Sequence, residues 1–221
     1  MKPLQRYRHL RKVRVSPDTP VQSHRIGMVV PSSNTTMETE LPELLHRVVG
    51  ERHRFTFHAS RMRMKKVSLE ELGQMNAQAD RCTEELSDAD VDVAAYACLV
   101  AVMSEGPDFA VEIGEKLTQI LKSGHPSAEM ITSAGALIQG VQRLGVRKVA
   151  LVTPYMRPLT DLVVECLEEA GIEVVDTISL EIPDNLEVGR RNPEDLVEIA
   201  RNLDLTEAEA VIISACVQMP S

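Results

Sequence analysis

The chain contains no tryptophan, and aromatic residues fill only 3% of its 221 positions. So few stacking platforms disfavour single-stranded nucleic acid as a partner. A formal net charge of −9 likewise argues against any broad surface for polyanions or anionic lipid. Long hydrophobic runs are also missing. The longest uninterrupted apolar stretch, Val93 to Met103, has 11 residues, against roughly 18 for a membrane-spanning helix. The sequence therefore predicts neither a membrane protein nor a nucleic-acid binder. Cysteine is scarce: Cys82, Cys98, Cys166 and Cys216 include no closely spaced pair of the kind found in zinc knuckles or redox motifs. Reduced thiols in a cytoplasmic protein fit this usage. The six histidines form no H-E-x-x-H pattern, and the eleven glycines form neither a G-x-G-x-x-G nor a Walker loop. No metal site and no nucleotide cofactor are expected.

What is present is enough apolar side chain, 43% of residues, to bury a sizeable core. Basic charge is concentrated at the start, where residues 1–25 carry seven Lys or Arg side chains against the single acid Asp18. That segment lacks the apolar core of a signal peptide and the serine enrichment of a transit peptide. Residues 1–24 are expected to be a disordered basic extension.

From residue 25 onward, short apolar runs alternate with amphipathic stretches, the pattern of an α/β chain with mainly parallel sheets. Strands are expected at Ile26–Val30, Phe55–Ser60, Val93–Ala97, Met130–Thr132, Val149–Thr153, Val174–Leu180 and Val211–Ala215. Ser68 and Glu71 form a capping box ahead of a stripe running from Leu69 to Leu86. Asn192 caps a helix with Pro193 in its first position. Thr160 is expected to cap a helix ended by Gly171, and a stripe from Ala134 to Leu144 ends at Gly145.

A weak internal repeat organises these elements. Val91–Cys98 overlays Glu209–Cys216, placing a cysteine immediately after an apolar strand in each half. The first strand of each half also leads into a proline-containing polar loop, Pro31–Thr36 and Thr153–Pro158. Two pseudo-symmetric lobes, residues 25–145 and 146–221, would bring these four segments to one cleft, because ligands of parallel α/β sheets bind at the carboxyl ends of strands. The first half continues past Cys98 with a helix, a strand and a second helix, whereas five residues follow Cys216. On this comparison the second lobe is expected to be incomplete, and the chain truncated at its C-terminus.

Cys82 and Cys166 fall on apolar helix stripes and are expected to be space-filling. Cys98 and Cys216 stand past strand ends, where nearby backbone N–H groups favour a thiolate, and two opposed thiols can divide nucleophile and proton-donor roles. The loop Ser32–Thr36 can be a turn into a helix, with Thr35 and Glu38 as a capping box. Its hydroxyl, amide and backbone donors can equally cradle a carboxylate. Pro42 is expected to kink that helix early. Tyr155 and Asn185 occupy polar, proline-flanked loops of the second half, where turn chemistry is an alternative role for Asn185.

Five segments carry a specific resemblance. They are Pro31–Glu40, Phe55–Met64, Tyr96–Ala101, Glu181–Leu186 and Ser214–Ser221. Together they resemble the maleate cis-trans isomerase family of the aspartate/glutamate racemase superfamily, over essentially residues 25–221. The resemblance implies two pseudo-symmetric α/β lobes with one catalytic cysteine from each, a homodimer, no cofactor, and a small dicarboxylate, maleate, as substrate. It implies Cys98 as the nucleophile and Cys216 as the proton donor. Asn34, Tyr155, Asn185 and the backbone around Leu99, Val100, Val217 and Gln218 would hold the carboxylates. Amino-acid racemases of the superfamily have Asn-Thr and Thr-Glu after their cysteines, whereas here Leu99-Val100 and Val217-Gln218 follow, which disfavours recognition of an α-amino group. Arylmalonate decarboxylase keeps only the second cysteine, and here both are present. A non-catalytic dicarboxylate-binding remnant and another two-cysteine racemase or isomerase of the superfamily are the alternative expectations.

Overall fold

A computed structural model describes residues 22–49, 53–106 and 108–213. Four strands, β1 (Gln22–Pro31), β2 (His53–Met62), β3 (Val93–Tyr96) and β4 (Glu129–Thr132), form one sheet in the order β2-β1-β3-β4. Three more, β5 (Lys148–Thr153), β6 (Glu173–Ser179) and β7 (Ala210–Ile213), form a second in the order β6-β5-β7. Every pairing within both sheets is parallel. The two sheets share one plan, a central strand (β1 or β5) flanked by the next strand in sequence and by the strand that precedes a cysteine. This is the arrangement the internal repeat requires.

The helices are α1 (Met37–Val49), α2 (Leu69–Asn76), α3 (Ala79–Asp88), α4 (Leu99–Met103), α5 (Phe109–Leu121), α6 (Ser133–Leu144), α7 (Arg157–Glu169), α8 (Asn185–Val188) and α9 (Pro193–Ala200). The long apolar run is explained by β3 and α4 together. All five residues of α4 are buried, because the helix lies inside the core cluster that also takes Leu117 and Leu121 of α5, Val163 and Leu167 of α7 and Leu151 of β5. A helix apolar on every side is stable only where every side is covered. α4 thus joins the first sheet to the second and fixes the residue before it, Cys98.

Among the described residues a strand occurs at each of the seven expected places, but β1 and β2 extend further toward their N-termini. β1 starts at Gln22, ahead of the lobe start expected at residue 25, and its first residues pair with His53 and Arg54, where the His24 and His53 rings also stack and share a hydrogen bond of 2.9 Å. Residues 1–21 lie outside the described residues, as do Ser214 and Ala215 of the last expected strand.

Several local expectations are corrected. The stripe from Leu69 to Leu86 is two helices, α2 and α3. The Gln78 side chain turns back to accept from Arg63 N–H at 2.9 Å and to donate to the Gln74 carbonyl at 3.0 Å. Ser68 does cap α2 by accepting from Glu71 N–H at 3.3 Å. The Glu71 carboxylate, however, accepts from Lys65 and Lys66 N–H rather than completing a box. Asn34, not Thr35, caps α1, and Glu38 is ion-paired with Arg61. α1 continues through Pro42 to Val49. α7 starts at Arg157, with Pro158 in its first turn where a missing N–H costs nothing. Thr160 is therefore inside that helix, its buried hydroxyl bonded to Thr153 and Ser179 at 2.7 and 3.0 Å. Gly171, at φ 80°, ends α7 by adopting the left-handed conformation open to glycine. Of the α6 stripe, Ala134 and Val141 are buried, whereas Leu144 is 74% exposed.

Candidate active site

The carboxyl ends of β1 and β3 lie side by side in the first sheet. Ala97 N–H continues their pairing past β3 by donating to the Val29 carbonyl at 2.8 Å, so Cys98 comes next to the exit of β1. Cys98 is buried, at 6% exposure, and its extended backbone serves as the N-cap position of α4. The side chains of Leu99 and Val100 belong to the core. What these two residues can offer a ligand is backbone N–H at the start of a helical turn.

The loop leaving β1 is tied down from several directions. Ser32 N–H donates to the Met62 carbonyl at 2.6 Å, and Asn34 N–H donates to the Pro31 carbonyl at 2.9 Å. Arg61 donates to the carbonyls of Ser32 and Asn34, each at 3.0 Å, while pairing with Glu38. The hydroxyls of Ser32 and Ser33 both donate to the Met64 carbonyl, at 3.1 and 2.7 Å. Asn34 is 2% exposed, and its Oδ1 accepts from the N–H groups of Thr36 and Met37 at 3.0 Å each. That fixes its amide so that Nδ2 points the other way, where it is buried without a partner among the described residues. A buried amide with unpaired hydrogens is costly and suits an anionic acceptor.

The second lobe contributes two of the expected residues. Tyr155 follows β5 and is buried, its carbonyl accepting from Glu181 N–H at 3.2 Å and from the Ser179 hydroxyl at 2.5 Å. Asn185 opens α8 behind the Asp184 cap and is also buried. The segment carrying it crosses to the first lobe. Val67 N–H donates to the Pro183 carbonyl at 3.3 Å, Lys66 and Asp184 form an antiparallel bridge, and Asn185 Nδ2 donates to Ser33 Oγ at 2.7 Å. Ile182 N–H closes the circuit by donating to the Pro154 carbonyl at 2.8 Å. Asn34, Cys98, Tyr155 and Asn185 thus belong to one connected set of loops. Cys216, Val217 and Gln218 lie outside the described residues.

Cys82 and Cys166 are buried on α3 and α7, and burial pushes both thiols up from their ordinary pKa. Neither is positioned as a nucleophile. Among the described residues, no group of three or more His, Cys, Asp or Glu could hold a metal ion, and no helix is long and apolar enough to cross a membrane. A cavity of ≈ 330 Å³ lies nearby, between β3, α6 and β7, but its lining of Met37, Ala97, Leu137, Ile212 and similar residues is too apolar for a dianion.

Three supporting residues escape a purely local reading. Arg61 and Ser33 act through partners distant in sequence. Tyr96, a large residue in a strand of small ones, could have been noticed because a buried phenol needs an acceptor.

A sequence model of the arylmalonate decarboxylase family matches residues 26–219. The maleate isomerase of Geobacillus stearothermophilus is 56% identical over 199 residues, covering 89% of this chain and 79% of that protein. The chain belongs to the maleate isomerase family. Solved structures of the family agree with its fold. The maleate complex of a Pseudomonas putida maleate isomerase, a cysteine-to-alanine variant, matches with a TM-score of 0.86 at 49% identity, over 90% of this chain and 80% of that one. A cysteine-to-serine variant of the Nocardia farcinica maleate cis-trans isomerase, holding a covalently bound succinylcysteine intermediate, matches with a TM-score of 0.85 at 48% identity, over 90% and 80% of the two chains. The pseudo-symmetric two-lobe fold of this maleate isomerase family member is that of its solved relatives.

Proposed function

We propose that this protein interconverts maleate and fumarate without a cofactor, through a succinyl-cysteine intermediate on Cys98. The observation that carries this reading is the unpartnered Asn34 amide, buried in the loop that leaves β1, the strand paired with β3, which Cys98 follows. A carboxylate is the acceptor such an amide needs, and a thiolate is the soft nucleophile a conjugated alkene needs. The covalent succinylcysteine of the Nocardia relative supports the same chemistry.

The steps balance without an outside reagent. The Cys98 thiolate forms a C–S bond to one alkene carbon, and the π electrons move toward the far carboxylate as an enediolate. Amide donors stabilise that developing charge; Asn34, Tyr155, Asn185 and the backbone of Leu99, Val100, Val217 and Gln218 are assigned to the two carboxylates. Cys216 then protonates the second carbon, leaving a single bond free to rotate. Return of that proton to Cys216 and expulsion of Cys98 gives fumarate. The resemblance to the family is the support for a homodimer, which measurement of the molar mass in solution by light scattering can check.

The test is proton NMR of maleate incubated with chelated, desalted protein, in which appearance of the fumarate vinyl signal is expected. Mass spectrometry should find a one-maleate adduct on Cys98 when Cys216 is replaced by serine. Binding of maleate without any turnover would replace the proposal with a dicarboxylate-binding role.

A further inference from the structure

We infer that Ser33 is a positioning residue that sets the orientation of the Asn185 amide across the lobe boundary, an inference that rests on the isomerase reading above. A serine hydroxyl has one hydrogen to give. Here it goes to the Met64 carbonyl at 2.7 Å, an atom that can only accept. What Ser33 presents to Asn185 is therefore a lone pair, and the Asn185 atom 2.7 Å away must be the Nδ2 donor rather than Oδ1.

This logic fixes an otherwise two-fold choice. An asparagine amide rotated by a half-turn occupies the same volume with donor and acceptor exchanged. In a site for a dianion the two states are opposite in effect, since one aims N–H and the other aims a carbonyl oxygen at a carboxylate. Ser33 selects between them only because Met64 takes its proton, and Met64 is itself held by the reciprocal bonds with Ser32, each at 3.1 Å. The participants are buried, with Asn185 at 3%, Met64 at 2% and Ser33 at 9% exposure, so water is a poor substitute for a lost partner. Ser33 and Asn185 are 152 residues apart. The bond therefore also registers one lobe against the other.

Ser33→Ala removes the selection while leaving Asn34 and Cys98 in place. The expected result is a fall in kcat/KM of about ten- to a hundredfold, the range for a lost hydrogen bond serving a charged ligand, carried mainly by KM. In an Asn185→Ala background the same substitution should cost less than about twofold, because the amide it orients is gone. Ser33→Thr, which keeps the hydroxyl, should retain KM within a few-fold, and supplies the comparison if the alanine variant does not fold. Equal losses in both backgrounds, or a lowered Tm with KM unchanged, would overturn the role of Ser33 alone. Absence of turnover by the unsubstituted chain would overturn the isomerase reading and this inference with it. KM raised equally by Ser33→Thr and Ser33→Ala would also overturn the role, since the hydroxyl would then not be the operative group.

Discussion

The Tyr96 hydroxyl donates to Asn76 Oδ1 at 2.5 Å, and the same amide donates through Nδ2 to the Ala101 carbonyl at 2.9 Å. The pair ties the end of β3 to the end of α2 and to the first turns of α4, with Cys98 between. Tyr96 is fully buried, and burial is the main cause that pushes its phenol well above the ordinary range, so it is a neutral donor at any working pH. Tyr96→Phe should destabilise the protein by about 1–3 kcal/mol, because it orphans an acceptor that the fold has taken from water. Urea unfolding monitored by circular dichroism measures this. Unchanged stability would mean that Asn76 finds another partner.

Asn34 has two functions that one substitution can separate. Its Oδ1 caps α1, and its Nδ2 is the proposed carboxylate donor. Asn34→Asp keeps a capping oxygen, and aspartate is as good a cap as asparagine. It also places negative charge where the carboxylate is proposed to bind. Turnover should fall by more than about a hundredfold while Tm changes little. Loss of both together would show that the cap alone explains the burial.

The cysteines should divide sharply. Cys98→Ala should abolish turnover. Cys82→Ala and Cys166→Ala should leave it nearly intact and lower stability, each losing a buried thiol that burial keeps protonated. Initial rates with matched thermal melts decide this. Strong inactivation by Cys166→Ala at unchanged Tm would contradict the space-filling role.

β5 and the second half of β1 are buried on both faces and are written as apolar runs, whereas β2 and β4 alternate more and less exposed positions, and either pattern makes a strand legible in the sequence. The polar starts of β1 and β2 are not, because Gln22, Ser23, His53 and Arg54 carry no apolar pattern, and the stacking of His53 on His24 exists only once the two strands pair. Asn34 rather than Thr35 caps the helix through local bonds to Thr36 and Met37 in a loop that Arg61 holds from β2, and the break of the Leu69–Leu86 stripe at Gln78 is accompanied by a hydrogen bond to Arg63 of another segment. The same division holds in the site. Cys98, Asn34, Tyr155 and Asn185 stand out as polar or thiol groups just past strand ends. Ser33 looks identical to Ser32 until the chain folds and brings Asn185 across.

The seam that carries Asn185 should also be the acid-sensitive part of the molecule. The Glu71 carboxylate accepts from Lys65 N–H at 2.7 Å and Lys66 N–H at 2.9 Å, and these backbone bonds hold it below its ordinary pKa of 4.5. Lys65 in turn accepts from Asn185 N–H at 3.5 Å, and Lys66 bridges Asp184. A carboxyl whose pKa is depressed by folding adds stability that is present above its unfolded value and lost as pH falls through the folded one. Protonation therefore weakens the Glu71 contact only below about pH 4.5, when the carboxylate that holds the segment becomes neutral. Glu71→Gln keeps the shape and one acceptor oxygen but has no charge to lose. At pH 7 the variant should melt below the unsubstituted protein, and the gap should close as pH is lowered through the glutamate range toward 3. KM for maleate should rise in the variant at pH 7 if the seam and the site are mechanically joined. Melting curves at successive pH values give the first result and initial rates the second. A gap in Tm that stays constant across the acid range would remove Glu71 as its source.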